Sequence, residues 1–197
     1  GEWIMRICVF GAASALIDKK FVDRTERLCE SLAKRGHSLV FGAGATGLMG
    51  AAARGFKRGG GRITGVIPKF FREDSVEIIY DGCDELIFTE TMAERKQTME
   101  RKAEAYVIAP GGIGTFEEFF EVLTLKQLGR HTCAMAVYDI DGFYDGLERF
   151  MDEVTDKRFV NPTCKSLYSL FADDEKLIDY LENYTPPTTP WHELKNG

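Results

Sequence analysis

Short apolar runs alternate along this chain with longer segments of helical period. The runs Ile7–Phe10, Ser38–Phe41, Ile63–Ile67, Glu85–Phe88, Tyr106–Ala109 and Ala134–Tyr138 are nearly continuous stretches of Val, Ile, Leu, Met and aromatic residues. Such runs predict strands covered on both faces. Between them, residues with a 3.6 period predict helices near Asp18–Arg35, Leu48–Lys57, Met92–Lys102 and Thr115–Leu128. A further helix is expected after Asp141-Gly142, and another over Asp173–Asn183. This alternation predicts a single α/β domain over residues 1–184, a Rossmann-like parallel sheet with right-handed crossovers and helices on both faces. The segment beginning Thr185-Pro186-Pro187 has no period, so residues 185–197 are expected to form an extended or disordered tail. In such folds ligands sit at the carboxyl ends of the strands, where the strand order reverses.

Two glycine-rich loops follow strands and so fall in that place. The first, Gly42-Ala43-Gly44-Ala45-Thr46-Gly47, matches G-x-G-x-x-G. It follows the second strand rather than the first, and the next strand ends at Pro68 without the acid that binds a ribose, which argues against a dinucleotide site. Contact of Gly44 and Gly47 with a phosphate or ribose stays open, as does a plain strand–helix turn. The second loop is Pro110-Gly111-Gly112-Ile113-Gly114-Thr115, placed ahead of a helix. Its glycines free the backbone to wrap an anion, Thr115 is expected to cap the helix, and the helix N-terminus adds oriented donors. With no Gly-Lys-Ser or Gly-Lys-Thr in the chain, the loop is not a P-loop.

Glu117, Glu118 and Glu121 lie in the first turns of the helix that follows. Helical spacing puts Phe116, Phe119, Phe120 and Leu123 on one stripe with the acids away from it, so the wheel alone does not select a catalytic carboxylate. In the preceding helix Met92, Arg95, Lys96, Met99 and Ala103 share one face. Arg95 is always charged and costly to bury without a partner, and an anionic ligand would be one.

Composition narrows the chemistry. A net charge of −6 over 197 residues opposes nucleic-acid binding and leaves a small anion as the ligand that a local cluster of donors would hold. Five scattered cysteines with no C-x-x-C fit a reducing, cytoplasmic setting and neither a disulfide framework nor a zinc site. No apolar run reaches membrane-spanning length. Gly1 precedes a natural start expected near Met5.

Taken together these motifs resemble the Lonely guy family of cytokinin-activating phosphoribohydrolases, also labelled possible lysine decarboxylases. Pro110-Gly111-Gly112-Ile113-Gly114-Thr115-Phe116-Glu117-Glu118 fits the family's PGGxGTxxE signature at every fixed position. Met92-Ala93-Glu94-Arg95-Lys96, Gly47-Leu48-Met49-Gly50 and Leu125-Lys126-Gln127-Leu128-Gly129 support it in the expected order. Ala93 stands where many members carry His, and Ala43 interrupts the usual run of glycines. The resemblance implies a Rossmann-like fold, usually dimeric, that releases a free base and ribose 5-phosphate from a purine nucleoside 5′-monophosphate without a metal or cofactor. It makes Arg95 and Glu118 the catalytic pair. It lines the substrate site with Glu77, Lys96, the run from Gly112 through Ile113, Gly114, Thr115, Phe116 and Glu117 to Glu118, and Thr124, and the cradle includes Gly111. Two rivals are a nucleotide-binding module without catalysis and a pyridoxal-phosphate decarboxylase. Retention of both Arg95 and Glu118 counts against the first, and the absence of a His-Lys pair counts against the second.

Overall fold

The computed structural model describes residues 4–196. Residues 1–3, which precede the expected start near Met5, lie outside them. Seven strands form one sheet: β1 Arg6–Phe10, β2 Ser38–Phe41, β3 Ile63–Pro68, β4 Glu85–Thr89, β5 Ala105–Ile108, β6 Ala134–Tyr138 and β7 Ser169–Phe171. Their order is β4-β3-β2-β1-β5-β6-β7, and every neighbouring pair is parallel. The order therefore runs outward from β1 in both directions and reverses between β1 and β5. Pairing of Phe10 with Ile108 brings the ends of those two strands level, so the loops after Phe10 and Ile108 open side by side.

The helices are α1 Lys19–Lys34, α2 Gly47–Arg58, α3 Lys69–Glu73, α4 Met92–Lys102, α5 Ile113–Gln127, α6 Asp145–Asp156, α7 Asp174–Glu182 and α8 Trp191–Asn196. Alternate strand residues point to opposite faces. Ile7, Val9, Leu39 and Phe41 pack with Leu28, Leu32, Phe56 and Leu177 from α1, α2 and α7. Cys8, Phe10, Tyr106 and Ile108 pack with Met99, Phe119 and Val122 from α4 and α5. The strands expected to be covered on both faces are so covered, except β4, an edge strand whose Leu86 stays exposed. No helix among the described residues is long and apolar enough to cross a membrane.

Three elements differ from the expectation. β7 and α3 are too short for their period to stand out. The tail expected to be extended or disordered has no regular structure over 184–190, but 191–196 form α8. The cause is tertiary: Leu194 is buried, and its carbonyl accepts bonds from Gln127 Nε2 and Cys164 Sγ. Lys126, one residue before Gln127, is also buried. Its ammonium donates at 2.7 Å to the Cys133 and Leu167 carbonyls and to the Tyr184 hydroxyl.

Candidate active site

Three helices begin on a side-chain cap. Asp18 accepts from Lys20 N, Thr91 from Glu94 N and Asp173 from Lys176 N. α5 has none: its N-cap is Gly112, and the first amide that bonds back is Phe116 N–H, to Gly112 O at 3.0 Å. The amides of Ile113, Gly114 and Thr115 therefore precede the first intrahelical bond, where a helix favours an anion. Gly112, Ile113 and Gly114 are exposed, and a side chain added at Gly112 or Gly114 would meet nothing within 4 Å. Thr115 is the third residue of α5 rather than its cap. Its hydroxyl packs on Gly111, where a Cβ would lie 2.0 Å from Oγ1.

The other glycine loop is closed. The amides of Leu48 and Met49 at the start of α2 donate to Ala12 O, and the Thr46 hydroxyl donates to Ala13 O. Gly47 adopts a left-handed φ of 62° beneath that turn, with room for no side chain, since a Cβ would lie 2.3 Å from Ala12 O. Gly47 is a strand–helix turn, not part of the open cleft. Gly44 is buried too, but it lies beside Glu77: a Cβ there would fall 2.6 Å from the Met49 methyl and 3.3 Å from Glu77 Oε2. Glu77 arrives because Ala45 N–H bonds Ile78 O and Tyr80 N–H bonds Ala43 O, which lays residues 77–80 along the loop.

Arg95 is buried near the start of α4. Its Nε donates to Val66 O at 3.0 Å and its Nη2 to Gly42 O at 2.6 Å, leaving three of its five N–H groups for other partners. Burial lowers its pKa, and the carboxylates of Glu118 and Glu77 pull it back. Glu118, placed on the polar side by the helical wheel, is half-buried and lies within the electrostatic reach of Arg95. Burial pushes its pKa up to about 7 against the opposing pull of Arg95, and Glu117 and Glu77 push the same way. Burial also raises the pKa of Glu77, whose Oε2 is shut from solvent with no hydrogen-bond partner. Two carboxyl groups with raised pKa values thus share the field of one buried cation, and one of them, Glu118, stands just beyond an open helix N-terminus. That combination marks sites of chemistry more often than of packing.

The remaining expected residues are distributed differently. Lys96 Nζ is held by Glu117 Oε1 at 2.5 Å and Glu121 Oε2 at 2.7 Å. The Phe116 ring turns away to pack edge-on against Tyr144, 6.4 Å between centres. Thr124 is exposed on α5, its hydroxyl bonded to Phe120 O. Three contributors carry no clear mark in the sequence. The carbonyls of Gly42 and Val66 act through the backbone, and Phe71 places its ring centre 5.1 Å from the Arg95 guanidinium carbon. The one signal for Phe71 is an aromatic pair directly after a strand ending in proline.

A family model described as possible lysine decarboxylase matches residues 49–181. The chain is 38% identical over 181 residues to cytokinin riboside 5′-monophosphate phosphoribohydrolase LOG2 of Arabidopsis thaliana, covering 92% of this chain and 84% of that protein. It is 35% identical over 181 residues to the probable cytokinin riboside 5′-monophosphate phosphoribohydrolase LOGL3 of Oryza sativa subsp. japonica, covering 92% and 85%. Among solved structures, the molybdenum cofactor carrier protein of Chlamydomonas reinhardtii superimposes with a TM-score of 0.66 at 22% identity, over 90% of this chain and 95% of that one. That last likeness is one of fold.

Proposed function

The chain belongs to the Lonely guy family, the family described as possible lysine decarboxylases, and on that premise we propose that it hydrolyses the N-glycosidic bond of a purine nucleoside 5′-monophosphate. The base is adenine or an N6-prenylated adenine, as the names of the relatives suggest. The observation that carries this reading is Glu118. It is a half-buried carboxyl with a pKa near 7, within the electrostatic reach of Arg95 and one turn beyond the open start of α5.

Each part of the site has a role. The amides of Ile113, Gly114 and Thr115 hold the 5′-phosphate, which neutralises the partial positive charge of the helix end. Glu77 Oε2 takes a hydrogen bond from a ribose hydroxyl, filling its vacant acceptor. The bond from C1′ to the base nitrogen then breaks, and its electron pair leaves with the base, which takes up a proton from solvent water. Positive charge grows on the ribose ring, and the Glu118 carboxylate opposite it lowers that barrier. Water adds its oxygen to C1′ while Glu118 accepts the water proton, giving ribose 5-phosphate. Arg95 is a poor proton donor, so it orients the nucleotide with its three remaining N–H groups.

The family label suggests amine chemistry, and the lysines fit it poorly. Lys96 is held as an ammonium by two carboxylates that raise its pKa. Lys126 lies at the opposite end of α5 under the C-terminal segment. The protein is further proposed to act in the cytoplasm as a homodimer. Five free thiols suit a reducing compartment, and Val76, Ile78 and Met92 expose apolar surface next to the site. Light scattering of the active protein tests the dimer; a monomer of full activity contradicts it. Incubation with AMP tests the reaction. Adenine and ribose 5-phosphate in equal amounts are expected, whereas adenosine plus phosphate, or no product, contradicts it.

A further inference from the structure

The side chain of Arg95 reaches the cleft from a helix, and a long flexible chain needs fixing on more than one side. Two hydrogen bonds, to Val66 O and Gly42 O, lie in the guanidinium plane and set its rotation within that plane. They leave its tilt free. The Phe71 ring lies against the guanidinium, 5.1 Å from its carbon, and is itself fixed by the neighbouring Phe70 ring, 5.0 Å away and edge-on. Phe71 belongs to α3, a five-residue helix with no other buried side chain. On the remaining side stands Gly42. A Cβ there would fall 2.1 Å from Arg95 Nη2 and 3.0 Å from its Cζ, so the guanidinium occupies the space a side chain would take.

We propose that Phe71 and Gly42 form a socket that aims Arg95 into the cleft, Phe71 by its ring face and Gly42 by its missing side chain. Phe71 is then a positioning residue for the reaction, acting only through Arg95. An aromatic face attracts a cation held over it, and any apolar residue of similar bulk lacks that attraction. The inference rests on the reading that Arg95 contacts the nucleotide.

The socket makes a distinction that simple core packing does not. Phe71→Leu keeps an apolar side chain and removes the ring. Gly42→Ala leaves Phe71 untouched and presses chiefly on the far end of the arginine side chain, with Met49 Sδ next at 3.3 Å, at a position with no left-handed φ. Phe71→Leu should lower kcat for AMP by about 2- to 30-fold, the range of a cation–π contact expressed as a rate, and Gly42→Ala should lower kcat as well by displacing the guanidinium. In an Arg95→Met background neither substitution should lower the residual rate further. Unchanged kcat in both variants, or the same loss with Met at position 95, would overturn the socket. If the wild-type protein releases no adenine, the proposed reaction falls on its own. Calorimetric binding of AMP then reads the socket, which predicts weaker binding in both variants and is contradicted by equal binding.

Discussion

Lys96 Nζ lies 2.7 Å from Glu121 Oε2 and so ties α4 to α5 beside the Glu118 carboxyl. From the sequence Glu121 is one of three acids on the polar side of its helix; in the structure it shares a lysine with Glu117. Donation from Lys96 to the carboxylates of Glu117 and then Glu121 raises its pKa, so the ammonium persists through the neutral range. The cluster is partly exposed, which limits its worth to about 0.2–1 kcal/mol. Glu121→Gln should therefore cost that much stability in thermal melts, and less at high salt. Its effect on AMP turnover should stay below about tenfold. A larger loss would place Glu121 in the chemistry itself.

The open start of α5 predicts an obligatory phosphate. With Ile113, Gly114 and Thr115 amides ahead of the first intrahelical bond, the anion is the handle that positions ribose against Glu118. Adenosine should be a far poorer substrate than AMP in kcat/KM. Comparable turnover of the two would remove the phosphate from the site.

Glu118 sets a pH dependence of defined sign. Burial favours its neutral form up to about pH 7, and the reaction needs the carboxylate. For AMP, kcat/KM should rise with pH through about 7 and level off above it, and Glu118→Gln should abolish that rise. Stability runs the other way. A folded pKa raised above the unfolded value contributes stability that is complete below about pH 4.5 and lost as pH rises through about 7. Glu118→Gln should thus melt higher than wild type at pH 8, with the gap narrowing toward pH 4.5.

Much of this fold is legible in the hydrophobic pattern, because strands buried on both faces leave unbroken apolar runs. β2 and β6 span Ser38–Phe41 and Ala134–Tyr138, the ranges those runs predict. β7 and α8 are not legible, since their stability comes from contacts such as Leu194 with Gln127 and Cys164 rather than from local period. At the site, the glycine loop ahead of α5 and an arginine that needs an anionic partner can be read from residue types, whereas the helical wheel leaves Glu117, Glu118 and Glu121 equivalent and only the family resemblance singles out Glu118. That Gly47 is held in a tight turn while Gly44 lies beside Glu77 cannot, because both are glycines in one loop. The difference lies in which carbonyls the next helix meets.

Lys126 predicts a second pH effect, far from the cleft. Burial lowers its pKa to about 8 although three acceptors surround it. A depressed folded pKa contributes stability that is present above the unfolded value near 10.4 and lost as pH falls through about 8. Between pH 8 and 10 this group should make wild-type stability rise with pH. Lys126→Met should flatten that slope in denaturant melts; an unchanged slope would mean Lys126 is not its source.

The account stands most directly on one comparison, AMP hydrolysis by the wild-type protein and by Glu118→Gln, with AMP binding and melting temperature measured on both. Gln keeps the shape of the side chain and removes the negative charge that faces the ribose. Loss of a transition-state interaction of this kind costs about 10²–10³ in kcat. The predicted result is that drop, with a folded variant that still binds AMP. A Glu118→Gln protein that releases adenine at the wild-type rate would contradict the mechanism.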